Sequence, residues 1–170
     1  PGFNITPVSC NGWSDGSASV NPSGGTPYTT GDPYDYDWSV TGSTNSVSSG
    51  YSVSAVPNLY TVTITDAVGC SEVFDATITE PAELSVIPSQ VSASCFGLSD
   101  GTATMTVTGG TSPYNYLWTT GDISQTVSGL SSGTYVCQIT DNNGCFSQDT
   151  ITVNEPSEII VDTTVQDVSC

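Results

Sequence analysis

Two stretches of this chain spell nearly the same pattern, and a repeated pattern limits the fold to something built twice. Ser9-Cys10-Asn11-Gly12-Trp13-Ser14-Asp15-Gly16 recurs as Ser94-Cys95-Phe96-Gly97-Leu98-Ser99-Asp100-Gly101. Gly24-Gly25-Thr26-Pro27-Tyr28 returns as Gly109-Gly110-Thr111-Ser112-Pro113-Tyr114, and Tyr36-Asp37-Trp38 as Tyr116-Leu117-Trp118. Tyr60 through Asp66 with Gly69-Cys70 matches Tyr135 through Asp141 with Gly144-Cys145, and Glu80-Pro81 matches Glu155-Pro156. The offset falls from 85 residues (9 to 94) to 80 (38 to 118) and then to 75 (60 to 135). The first copy therefore carries extra residues near 29–35 and 44–53, where loops of a shared scaffold absorb insertions. Domain bounds follow at 1–81 and 82–156. Residues 157–170 read as the first strand of a third copy, which predicts an array continuing past both ends.

Each copy alternates apolar and polar residues at period two, between turn clusters of Gly, Pro, Asn, Asp and Ser. Ala18 and Val20, Tyr60, Val62 and Ile64, Ala76 and Ile78 each mark one face of a half-buried strand; Ala103, Met105 and Val107, and Tyr135, Cys137 and Ile139 do the same in the second copy. No stretch shows helical periodicity. About seven short strands in 75–85 residues predict an all-β fold of tandem Ig-like antiparallel β-sandwich repeats. Trp38 and Trp118 stand where such a sandwich puts its core Trp, and Leu130 through Tyr135 resembles the turn and tyrosine entering its sixth strand.

Charge removes whole classes of function. The chain holds 17 acidic residues and no Lys, Arg or His, a net charge of −17 at pH 7. Nothing here neutralises phosphate, so nucleic acid is not a partner. Ser–His and Cys–His activation, Schiff-base chemistry and imidazole-bound zinc lack their residues. A glycosidase with paired carboxylates stays conceivable, but no pair stands in a pocket-forming context, and the chain reads as a non-enzyme. No apolar run is long enough to cross a membrane as a helix. Self-repulsion of this size calls for salt or calcium outside a cell, and six cysteines suit an oxidising compartment.

The joint pattern (Ser-Cys, Ser-Asp-Gly, Gly-Gly-Thr before Pro-Tyr, Tyr-x-Trp, Thr-Asp-x-x-Gly-Cys, Glu-Pro) strongly resembles the SprB repeat of Bacteroidetes gliding-motility and cell-surface adhesins. The first copy departs in lacking the Gly-Thr before its tyrosine, with Asn58-Leu59 there instead, and in its longer loops. The resemblance implies type IX secretion, an extracellular place on the bacterial surface, and a segment of a long adhesin or filament whose repeats act as stiff spacers. Its partners would be neighbouring repeats, surface polysaccharide or other filament subunits. The competing reading is a carbohydrate-binding module using Trp13, Tyr28, Tyr34 and Tyr36 as a stacking platform. Replacement of Trp13 by Leu98 in the second copy favours the spacer, since Leu would suit packing between repeats.

Cys10, Cys95 and Cys170 are equivalent, as are Cys70 and Cys145. Pairing within each repeat gives Cys10–Cys70 and Cys95–Cys145. In an Ig-like sandwich, however, the first inter-strand loop and the last hairpin lie at opposite ends, beyond the ~7 Å Cα reach of a disulfide. Cys10–Cys145, between repeats, is therefore favoured, with Cys70 joined to a preceding repeat and Cys95 to a following one. Cys137 takes the core position of Val62 and is expected free and buried. Asp32, Asp35 and Asp66 form a candidate calcium site through oxygen ligands, although the EF-hand order is missing; no other cofactor is required. Asp149-Thr150-Ile151 and Asp162-Thr163-Thr164 fit a Bacteroidetes O-glycosylation pattern, making Thr150 and Thr163 candidate attachment sites.

Overall fold

The computed structural model describes residues 2–40, 46–48 and 52–163. Every element among them is a strand, and no helix is long and apolar enough to cross a membrane. The first copy holds β1 (Gly2–Thr6), β2 (Gly16–Asn21), β3 (Asp35–Val40), β4 (Ser46–Ser48), β5 (Ser52–Ala55), β6 (Asn58–Thr65) and β7 (Ser71–Ile78). They pair antiparallel into sheets ordered β1-β2-β5 and β4-β3-β6-β7. The first, second and fifth strands lie against the third, sixth and seventh, which is the Ig-like arrangement, with the fourth strand on the latter sheet.

Alternation fixes which face of each strand is inside. Ala18 and Val20 of β2, Tyr36 and Trp38 of β3, Tyr60, Val62 and Ile64 of β6, and Ala76 and Ile78 of β7 form one buried core between the sheets. Trp38 is fully buried and stands opposite Val62 in the ladder. The hydroxyl of Tyr60 donates to the carbonyl of Val56 at 2.9 Å, which is the tyrosine corner of this fold. It forms despite the missing Gly-Thr, because the bond needs only the ring position and an upstream carbonyl.

The second copy has β8 (Ser85–Val91), β9 (Gly101–Thr108), β10 (Asn115–Trp118), β11 (Thr126–Leu130), β12 (Gly133–Thr140) and β13 (Phe146–Val153), in sheets ordered β11-β9-β8 and β10-β12-β13. Six strands stand where the pattern suggested seven. The reason is the shorter connection after Trp118: Gly121 N–H donates to the Trp118 carbonyl at 2.9 Å, Trp118 N–H to Asp122 at 2.9 Å, and the Trp118 indole N–H to Ser124 at 2.8 Å. This tight turn takes the place of β4. Trp118 packs with Met105, Val127, Cys137, Ile139 and Val153 in a second core, and Tyr135 repeats the corner by donating to Ser131 at 3.0 Å. Pro88 sits in β8, an edge strand, where a missing N–H breaks no ladder.

Compactness does not follow the copies. One unit takes in residues 1–84 together with 109–113 and 141–145; the other holds 85–108, 114–140 and 146–170. Residues 157–163 carry no strand, and the rest of the expected first strand of a third copy lies outside the described residues.

Candidate functional site

The loop carrying Cys10 is held by its own sequence. Ser9 donates from its N–H to Asp15 Oδ1 at 3.0 Å and from its hydroxyl to Asp15 Oδ2. Glu80 Oε2 accepts the Gly12 N–H at 2.7 Å, and Asn11 Nδ2 donates to the Pro81 carbonyl at 3.2 Å. The Cys95 loop repeats this with Ser94 on Asp100 at 2.9 Å and Gly97 on Glu155 at 2.7 Å. The Ser-Cys, Asp-Gly and Glu-Pro signatures thus build one object, and the Glu of Glu-Pro is a clamp that reading the sequence did not assign. Its recurrence at a fixed place in both copies was the available signal.

The hairpin carrying the other cysteine is organised by a buried carboxylate. Asp66 accepts from the N–H groups of Thr26 at 3.0 Å, Val68 at 3.1 Å and Cys70 at 2.9 Å. Asp141 accepts from Thr111 at 2.7 Å, Asn143 at 2.8 Å and Cys145 at 2.9 Å. Both aspartates are buried. These are more than turn-forming residues: each ties the Gly-Gly-Thr loop to the hairpin.

The amide of Thr26, then that of Cys70, holds the Asp66 carboxyl below its ordinary value of 3.8, and the Ser9 and Ser94 hydroxyls do the same for Asp15 and Asp100. A lowered folded-state value contributes stability that is present above the unfolded value and is lost as pH falls through the folded one. General charge repulsion fades over the same range and acts the other way, so a variant must isolate the local effect. Asp66→Asn is expected to melt below the wild type at pH 7, with the gap closing as pH falls below about 4. Melting curves from pH 7 to 2 check this; a gap constant with pH would refute it.

Loop and hairpin meet across the copies. Cys10 is bonded to Cys145, with sulfurs 2.07 Å and Cα atoms 5.6 Å apart. Asn143 Nδ2 donates to the Ser9 carbonyl at 2.9 Å. Cys10–Cys70 is excluded because Cys10 lies by the end of β7, near Pro81, whereas Cys70 precedes its start, about 26 Å away along eight residues. Cys95–Cys145 is excluded by the bond to Cys10. Cys70 and Cys95 are free and exposed, and Cys137 is free, fully buried against Trp118, with its thiol value raised by burial. Cys170 lies outside the described residues.

The segment after Glu80-Pro81 is seated beside the same hairpin. Gly110 N–H donates to the Ala82 carbonyl at 2.8 Å. A Cβ on Gly109 would lie 1.9 Å from the Glu83 carbonyl oxygen, whereas one on Gly24 would meet nothing within 4 Å. Both glycines have positive φ, 69° and 89°, so alanine is strained at each. Gly109→Ala is expected to cost about 2 kcal/mol more than Gly24→Ala in urea unfolding, since only the former drives a backbone carbonyl off its seat. Equal costs would remove the seat from the account.

The other candidate sites do not assemble. Asp66 is spent on backbone amides, and Asp35 accepts the Tyr28 hydroxyl at 2.8 Å. Among the described residues no three acidic or cysteine side chains gather as a metal set, so Asp32, Asp35 and Asp66 are not converged donors. The four aromatics form no platform: Tyr36 is core, Tyr34 donates to the Gly24 carbonyl at 2.6 Å, and Trp13 stands on the Cys10 loop at the other end of the sandwich from Tyr28. Trp13 is 53% exposed and Leu98 46%, so neither is buried as packing between repeats would have it. Thr150 is exposed on β13 and Thr163 is exposed beyond it.

No curated protein matches the chain. It is similar to the N-terminal four Ig domains of Dscam1 isoform 9.44, at 15% identity and TM-score 0.35, covering 73% of this chain and 38% of that one. It is also similar to the amphioxus IgVJ-C2 molecule, at 12% and 0.36 with 89% and 96% covered. A third likeness is to the C-terminal 282-residue fragment of intimin in complex with the intimin-binding domain of its translocated receptor, at 14% and 0.44 with 82% and 57% covered. The chain thus spans well under half the Dscam1 structure's length. The SprB repeat family model matches residues 2–43 and 87–123, the segments that hold Cys10 and Cys95 and their loops. The two matched segments hold the same loop built twice, each on an Ig-like sandwich, and each is similar to the SprB repeat.

Proposed function

We propose that the chain is a load-bearing spacer in a long extracellular adhesin or surface filament, serving adhesion or gliding at the bacterial surface, and that it does no chemistry. The observation that carries this reading is the Cys10–Cys145 bond, which closes over 135 residues. Tension applied at the two ends crosses that bond directly, and the backbone of both sandwiches between the cysteines is relieved of load. A spacer under tension benefits from such a shunt. Absence of Lys, Arg and His, and carboxylates committed to backbone amides, also favour a structural role.

Single-molecule pulling tests it. Stretched from its ends, the oxidised protein should lengthen only by its flanking residues. After reduction a further ~450 Å of contour should appear as the 135 shielded residues become extensible. Equal extension in both states, or a glycan bound at micromolar affinity with the force curve unaffected by reduction, would reject the spacer.

A further inference from the structure

Each half of the Cys10–Cys145 junction has a second, unused copy in the same molecule. The Cys95 loop shares the Ser–Asp and Gly–Glu bonds of the Cys10 loop, with Phe96 in place of Asn11, and the Cys70 hairpin has the same three amide bonds to its aspartate as the Cys145 hairpin. Yet Cys10 and Cys145 are buried when bonded, at 3% and 7% exposure, while Cys70 and Cys95 stand exposed as thiols. The seat is duplicated too. Beside Gly109–Gly110 it is filled: the Glu83 carbonyl oxygen lies against Gly109, and Leu84 Cδ1 is 2.9 Å from a Cβ placed on Gly110. Beside Gly24–Gly25 there is an open groove of about 200 Å³, lined by Pro22, Gly24, Gly25, Tyr34, Asp66 and Cys70. The segment that would fill it is also present and uncovered: Ser157-Glu158-Ile159 follows Glu155-Pro156 as Ala82-Glu83-Leu84 follows Glu80-Pro81. Ile159 is 91% exposed.

We infer that the Gly24–Gly25 groove with Cys70 is a docking site for a second copy of this repeat pair, which seats its Ser157–Ile159 segment there and bonds its Cys95 to Cys70. The contact is heterologous, head to tail, and so propagates and does not close. Two thiols give one S–S bond and release two protons and two electrons. The electrons pass to a small-molecule disulfide such as oxidised glutathione, which is cleaved to two thiols through a mixed-disulfide intermediate. Both cysteines of the proposed link, Cys70 and Cys95, lie inside the span closed by Cys10 and Cys145, so each link between copies leaves from within an internally closed loop. The inference rests on the spacer reading in needing neighbouring copies, but its test leaves the Cys10–Cys145 bond and hence the force curve untouched.

Purified protein carrying Cys170→Ser, incubated with oxidised glutathione, should form a ladder of multimers on a non-reducing gel. Chymotryptic peptides should join Cys95 to Cys70. Cys70→Ser and Cys95→Ser should each stay monomeric alone, and an equimolar mixture of the two should give dimers and nothing longer. Ile159→Asp, at an exposed position that leaves folding intact, should slow the ladder at least about fivefold by weakening the seat. Like-with-like dimers from either single variant, a monomer with an internal Cys70–Cys95 bond, or no cross-link would overturn the inference.

Discussion

Cys10→Ser combined with Cys145→Ser is expected to lower the unfolding free energy by about 3–5 kcal/mol. The bond joins residues 135 apart in sequence. By chain entropy, closing a loop of that length removes about 5 kcal/mol of freedom from the unfolded chain at 25 °C. Native-state compensation is small, because both positions are buried and a serine hydroxyl finds no better environment there than sulfur does. Urea unfolding of the double variant, set beside wild type with and without a phosphine reductant, measures the loss. The reduced wild type and the double variant should agree. A midpoint unmoved by either treatment would mean that the link constrains nothing, and the spacer would lose its mechanical basis.

The residues that made this bond foreseeable differ in kind from those that did not. Trp38, Trp118, Tyr60 and Tyr135 are large apolar groups at period-two positions, and burial forces such residues inward whatever the loops do. The sheets and their order were therefore legible, and with them the opposite placement of Cys10 and Cys70. What escaped the sequence were roles set by distance along the chain. Asp66 and Asp141 read as ordinary turn formers, since Asp beside Gly suits a hairpin in any protein. Their reach to Thr26 and Thr111, 40 and 30 residues away, appears only in the fold. Glu80 and Glu155 were seen only as repeat markers, yet they clamp Gly12 and Gly97, 68 and 58 residues earlier. Gly24 and Gly109 look identical in sequence and differ in what presses on them. The competing aromatic platform does not assemble because Tyr36 is drawn into the core by its alternation with Trp38, which outweighs its proximity to Tyr34.

Asp141→Ala should be the most damaging single change, at about 3–5 kcal/mol. The carboxylate is 2% exposed and takes three amide hydrogens, from Thr111, Asn143 and Cys145. Alanine leaves the buried Cys145 N–H without a partner and strips the part-buried Thr111 and Asn143 N–H groups of theirs, and leaving a buried donor unpaired costs more than the bond itself returns. The damage is local in a telling place, because Cys145 is the last of the three donors and Asn143 holds the Ser9 carbonyl. The variant should therefore also lose its Cys10–Cys145 bond to a mild reductant faster than wild type does. Asp141→Asn separates charge from geometry: its oxygen can still receive Asn143 and Cys145, while its amide faces the Thr111 N–H. It should cost roughly half as much. Urea unfolding and the rate of reduction, followed together, check both variants. A loss below about 1 kcal/mol for alanine, with reduction at the wild-type rate, would show that the hairpin holds its cysteine in place without the carboxylate.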